Sequence, residues 1–357
     1  MNALAKKLAA RIDRDGPLSI EDFMAVCLLD PEHGYYTTRD PFGAPGDFIT
    51  APEVSQMFGE LIGLWLWSVW QAAGTPENTY LVELGPGRGT LMADALRAIE
   101  GATREKDPFS LHLVEASPTL RQHQRRTLGE RPVTWHDDLE TLPVDGPVLF
   151  VANEFFDALP IRQYVSTPQG WRERLVTCHD GTFEAALDSE PSAIELPQAP
   201  TGRVGEAAPV RLSVMAAMAN RITRQGGAAL IIDFTDKTLP VVDTFQAVRA
   251  HQFANRFQDP GNADLASAVD FPALAKAAGK NGVAAHGPVS QGNLLTALGI
   301  EARCKALKQK ATPEQAEALD AAMNRLVSPM GMGEDFVALA LLPVGQPAPA
   351  GFEVLPT

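Results

Sequence analysis

The sequence predicts an α/β fold with a mostly parallel sheet, and two observations carry that expectation. From residue 79 onward, short apolar stretches alternate with helical ones, the rhythm of a sheet covered on both faces. The first of these stretches ends in a carboxylate and turns through three alternate glycines into a helix, in Glu83-Leu84-Gly85-Pro86-Gly87-Arg88-Gly89-Thr90.

Strands are expected over residues 80–83, 111–115, 133–136, 148–152 and 228–233, with a late strand at 336–342 returning to the sheet. Helices are expected over 90–99 and 118–128, the second of them polar. Ahead of the sheet, residues 1–14 read as an amphipathic helix with Leu4, Leu8 and Ile12 along one side. Ser19 caps a second helix over 20–29, which Asp30-Pro31 stops. Residues 34–50 read as an ordered loop. Thr50-Ala51-Pro52-Glu53 has the form of a capping box, so one long helix should run from there to about residue 73. Its apolar residues cover so much of its circumference that it should be buried.

Residues 161–205 read as a β-rich insertion. Residues 234–285 read as a mixed insertion with an Ala-rich helix at 271–278. The expected organisation is thus a helical N-terminal portion over 1–75 and a core over 76–160 and 206–345, with a frayed tail over 346–357.

Composition narrows the function. Of 357 residues, 45% are hydrophobic and 21% charged, as in an ordinary globular enzyme. A formal charge of −14 disfavours nucleic acid, whose binding rests on Lys and Arg neutralising phosphates. Cys27, Cys178 and Cys304 have no metal or disulfide spacing, and the seven histidines are scattered singly, so no metal site is expected. The most apolar window, residues 61–70, is too short to span a bilayer. The expectation is a cytoplasmic protein without membrane insertion.

The chemistry lies at the strand ends. Gly85, Gly87 and Gly89, with Pro86 between them, let a ligand lie against bare main chain. A dinucleotide fingerprint would place its third glycine where Thr90 stands, and a Walker loop would need Gly-Lys-Ser/Thr. Glu83 would repel pyrophosphate but suits the ammonium of a methionine moiety. The cofactor expected is therefore S-adenosyl-L-methionine, not a nicotinamide dinucleotide. Glu115, ending the second strand, is placed for the two ribose hydroxyls. Asp137 or Asp138, after the third strand, is placed for the adenine amine, with a helix N-cap as the rival role. Asn153-Glu154-Phe155-Phe156-Asp157-Ala158-Leu159-Pro160 leaves the fourth strand at the edge that faces ligands in open α/β sheets. Asn153, Glu154 and Asp157 are the candidate catalytic residues, able to position a nucleophilic nitrogen, and for an arginine substrate carboxylates in a fork would grip the planar guanidinium best; the rival role for Asn153 and Asp157 is to close a turn.

At these residues the chain resembles the MidA-like methyltransferase family, which includes bacterial relatives of the mitochondrial complex I assembly factor that methylates an arginine. The resemblance rests on Asp30-Pro31-Glu32-His33-Gly34-Tyr35-Tyr36, on Gly46-Asp47-Phe48-Ile49-Thr50-Ala51-Pro52-Glu53-Val54-Ser55, on the glycine loop and on the segment 153–160. It implies a class I, Rossmann-like methyltransferase core with a helical N-terminal portion and insertions. It also implies that residues 46–55, Thr50 among them, line or cover the cofactor cleft. The partner it implies is a protein substrate, of the kind of a respiratory complex I subunit; the sequence leaves a homodimer open. The chain departs from the family pattern at Thr235, Ala268 and Val337, where glycine, histidine and lysine are usual. Those departures motivate an alternative, a donor-binding assembly or scaffold protein without methyl transfer.

Overall fold

The computed structural model describes residues 1–38 and 49–353. The chain divides into two units. One comprises Met1–Phe48, Phe156–Ser213 and Asp236–Asp270; the other comprises Ile49–Phe155, Val214–Thr235 and Phe271–Thr357.

The second unit is built on a seven-stranded sheet: β1 (Tyr80–Leu84), β2 (Ser110–Val114), β3 (Val133–His136), β4 (Val148–Asn153), β5 (Gly227–Phe234), β6 (Val283–Ser290) and β7 (Phe336–Pro343). Their spatial order is β6-β7-β5-β4-β1-β2-β3. Strands β1 to β5 pair in parallel, and β7 lies antiparallel to both β5 and β6. Leu81, Leu111, Leu149, Val151, Leu230 and Ile232 join one core cluster with the helices Gln56–Ala72 and Thr90–Thr103. The alternate residues Val82, Phe150 and Ile231 are fully buried too. Burial on both faces is why these strands read as continuous apolar runs rather than as alternating ones.

Strand β6 was not foreseen. At His286-Gly287-Pro288 it carries a bulge, where the register with β7 shifts between His286 and Val289. The mixed insertion accordingly ends before β6: residues 236–270 belong to the first unit and the helix Phe271–Lys280 to the second.

The long helix predicted from Thr50 is two. Ala51–Val54 forms a short turn of helix, Ser55 is extended, and the helix Gln56–Ala72 starts with the Ser55 hydroxyl accepting from the Met57 amide. The Thr50 side chain makes no cap bond. Glu53, the supposed partner, instead accepts from Thr90 Oγ1 at 2.5 Å. The helix Gln56–Ala72 also belongs to the core unit, not to an N-terminal portion. It approaches Thr90–Thr103 closely because Gly59 and Gly63 face it. A Cβ on Gly63 would lie 2.5 Å from both Cα and O of Ala95. Ala is favoured over Gly by about 1 kcal/mol inside a helix, so the sign of Gly63→Ala isolates the contact. We expect a net loss of about 1–3 kcal/mol, measured as a lower urea midpoint at unchanged slope.

The tail is not frayed over its described part. Trp65 Nε1 donates to Ala350 O at 3.1 Å, and Phe352 packs edge-on against the Trp65 ring.

In the first unit, the helix Ala3–Asp15 buries Leu4, Ala5, Leu8 and Ile12, and Ser19 caps Ile20–Leu29 by accepting from the Asp22 amide. Its five-stranded antiparallel sheet is formed by Leu18–Ser19, Arg162–Thr167, Gly170–His179, Thr182–Leu187 and Val204–Ala207. The segment Asp30–Gly34 is a tight turn: Asp30 Oδ1 accepts from the amides of Glu32 and His33, and a Cβ on Gly34 would sit 2.5 Å from Asp30 N. A side chain at residue 34 would therefore collide with the backbone of this turn.

Candidate active site

The candidate positions Glu83, the glycine turn, Glu115, Asn153 and Glu154 lie at the carboxyl ends of the parallel strands. Register fixes this: Leu84 is opposite Val114 and Ala152, and Asn153 is opposite Ile232. Gly85, Gly87 and Gly89 have φ of +61°, +52° and +81°, a region that disfavours side chains. At Gly85 there is also no room, since a Cβ would come within 2.8 Å of the Phe155 ring. Gly89 sits at the N-cap of the helix Thr90–Thr103.

Glu83 is 3% exposed, and its Oε2 has no hydrogen-bond partner among the described residues. Burial, with repulsion from Glu115, pushes its carboxyl up to about 8. An unpaired buried carboxyl oxygen carries a desolvation cost that a cationic ligand would offset. Glu115 is 8% exposed and pushed up to about 7, with burial outweighing the hydrogen bonds it receives. Its Oε1 accepts from the Ser117 amide at 2.8 Å and its Oε2 from Gln124 Nε2 at 3.1 Å. An ionised carboxylate offers about four lone-pair sites, so each oxygen keeps capacity for one ribose hydroxyl. These residues fit an S-adenosyl nucleoside: an orphaned acid for the ammonium, bare backbone, and an acid for the diol.

The adenine candidates are less free. Asp137 is exposed and held by Arg121 at 2.5 Å. Asp138 Oδ1 accepts from the amides of Glu140 and Thr141 within a turn, and since no helix starts there the N-cap role named as its rival is not met. Thr50 is buried at the N-cap position of Ala51–Val54. Of the segment 46–55, residues 46–48 lie outside the described residues.

On the acceptor side, Glu154 takes φ +49°, strained for a side chain. The strain is held on several sides. Glu154 N donates to Ile232 O, and Glu154 Oε1 accepts from Ala51 N at 3.0 Å and Asn153 Nδ2 at 3.1 Å. The buried Asn153 Oδ1 has no partner among the described residues. Asp157 belongs to the first unit. There its backbone carbonyl accepts from Arg211 and from the Ser267 amide, and desolvation pushes its carboxyl up to about 6 against the Arg211 charge.

Sequence reasoning passed over three residues. Asp233, ending β5, is fully buried and accepts from the amides of Phe155 and Phe234, bracing the segment that carries Glu154. Its signal was the one that marked Glu83 and Glu115, a carboxylate at a strand end. Glu53 reaches the glycine loop through Thr90 and, at 3.6 Å, Arg88. Gln124 joins the glycine loop to Glu115. Its signal was spacing, since Leu120, Gln124 and Leu128 fall at i, i+4 and i+8 on the buried stripe of the helix Pro118–Leu128.

An open doubly wound sheet whose switch-point edge carries a bare glycine loop between two buried acids defines a nucleoside-binding transferase of the class I methyltransferase type. Comparison with known proteins narrows the class. Residues 61–289 match the family described as "Putative S-adenosyl-L-methionine-dependent methyltransferase". The chain is 37% identical to the "Protein arginine methyltransferase NDUFAF7, mitochondrial" of Bos taurus, over 95% of this chain and 83% of that one. The Homo sapiens counterpart is 35% identical over the same shares. A Burkholderia thailandensis protein, crystallised bound to S-adenosyl-homocysteine, superposes with a TM-score of 0.86 at 28% identity, covering 98% of this chain and 94% of that one. This chain belongs to that S-adenosylmethionine-dependent methyltransferase family. One expectation is overturned: the curated relatives are named as mitochondrial, so the cytoplasmic placement is withdrawn. Among the described residues no helix is long and apolar enough to cross a membrane, and no cluster of metal-ligating side chains occurs.

Proposed function

We propose that this protein methylates an arginine nitrogen of a protein substrate, of the kind found in respiratory complex I subunits. The relatives' names as protein arginine methyltransferases support transfer over the scaffold alternative. The observation that carries the donor side is the buried, unpartnered Oε2 of Glu83 beside the glycine loop. The bound donor supplies an electrophilic methyl group on a sulfonium. Glu83 holds its ammonium, the glycines admit its backbone contacts, and Glu115 takes the ribose diol. Asp137 or Asp138 and Thr50 complete the adenine and cleft contacts. Glu154, with Asn153, orients the acceptor guanidinium and keeps its charge paired, and Asp157, three residues on in the chain, is a further catalytic candidate.

The test is mass spectrometry of methylated peptides from cells with and without this protein. Arginine methylation lost with the protein and regained on re-expression is the expected result. Methyl groups appearing only on another residue type would replace the arginine assignment, and none at all would reject transfer.

A further inference from the structure

Gln124 is fully buried, and each polar atom of its amide is committed. Nε2 donates to Gly87 O at 2.8 Å and to Glu115 Oε2 at 3.1 Å, while Oε1 accepts from Trp135 Nε1 at 2.8 Å. The indole N–H is a donor only, so the amide has one permissible orientation. A flip would set Oε1 against a carbonyl and a carboxylate and leave the indole facing an NH2. The helix that carries Gln124 is anchored at the same place, because Ser117 caps it and Arg121 Nε donates to Glu115 O. Gln124 therefore bonds the middle glycine of the loop to the acid that ends the second strand. We propose that Gln124, its orientation set by Trp135, is a positioning residue that aims the Glu115 carboxylate at the ribose diol of the donor and ties it in register with the glycine loop.

This rests on the ribose role of Glu115. Glu115 Oε1 is fixed by a backbone amide of its own strand end. The second oxygen is held by Gln124, and without that bond only Oε1 keeps its anchor, so the orientation of Oε2 is less closely set. Diol recognition, which needs both oxygens presented together, weakens more than binding of the rest of the donor.

The test uses Gln124→Met, of similar volume and without the amide. Calorimetry would compare S-adenosylhomocysteine with its 2′-deoxy analogue in the native protein and in the variant. The native protein should prefer the full ribose by about 10-fold or more. In the variant that preference should shrink towards about 2-fold, while kcat and the acceptor KM stay near native and the donor KM rises. A merely structural role would lower the melting temperature without changing the preference. Should Gln124→Met fail to fold, Trp135→Phe decides, and a smaller loss of the preference is expected. A folded variant with an undiminished preference overturns the proposal. A native protein with no preference for the full ribose rejects the Glu115 reading itself, and the proposal with it.

Discussion

Glu83→Gln is expected to raise the melting temperature of the ligand-free protein at pH 8 while weakening S-adenosylmethionine binding about 100-fold or more. The two effects have one cause. The Glu83 carboxyl ordinarily titrates near 4.5, and burial beside Glu115 raises it to about 8 in the folded state. The folded protein therefore holds a proton that the unfolded chain has lost. Stability contributed by that neutral acid is complete below pH 4.5 and disappears as pH rises through about 8. Gln is neutral at every pH and removes the slope. The donor's cationic ammonium reverses the preference: binding should favour the carboxylate and expel the proton. Proton release, read by calorimetry in buffers of different ionisation enthalpy, should be present in the native protein and diminished in the variant. A variant that melts below the native protein at pH 8, or that binds the donor normally, would refute this account.

Glu154→Gln separates the other half of the site. Its carboxylate is positioned by the Ala51 amide and the Asn153 side chain, not by the glycine loop. The amide keeps the shape and removes the charge that we propose pairs with the acceptor guanidinium. We expect kcat to fall about 100-fold or more, the scale of losing one preorganised electrostatic partner, with donor affinity within about 2-fold of native. Stopped-flow or single-turnover transfer, together with donor calorimetry, checks it. A parallel loss of donor affinity would mean that Glu154 serves only to brace the loop.

The sheet and the glycine turn were legible because their signals are local. Each parallel strand is an apolar run buried on both faces, and the glycines with Glu83 and Glu115 stand at fixed offsets within single strand-turn units. What escaped reading depends on partners far along the chain. Thr50-x-x-Glu53 has a capping-box pattern, but the Glu53 side chain is drawn to Thr90, 37 positions away. The tail looked unstructured from its prolines and glycines, yet Trp65 holds it across 285 positions. Gln124 looked like one more polar residue on a polar helix until Trp135 and Glu115 were placed beside it. Gly59 and Gly63 gave no sign of their role, which lies in the close approach of Leu91, Asp94 and Ala95 on the neighbouring helix.

The position of β7 has a consequence for biosynthesis. Of the seven strands of this sheet it is the last to be synthesised, yet it lies inside the sheet, between β5 and β6. While residues 235–335 are being made, the outer rim of β5 remains a row of unsatisfied amides and carbonyls, the kind of rim that recruits foreign strands. A nascent chain therefore acquires its ligand loop long before it loses its stickiness. Chaperone dependence should be set by the wait for that final strand.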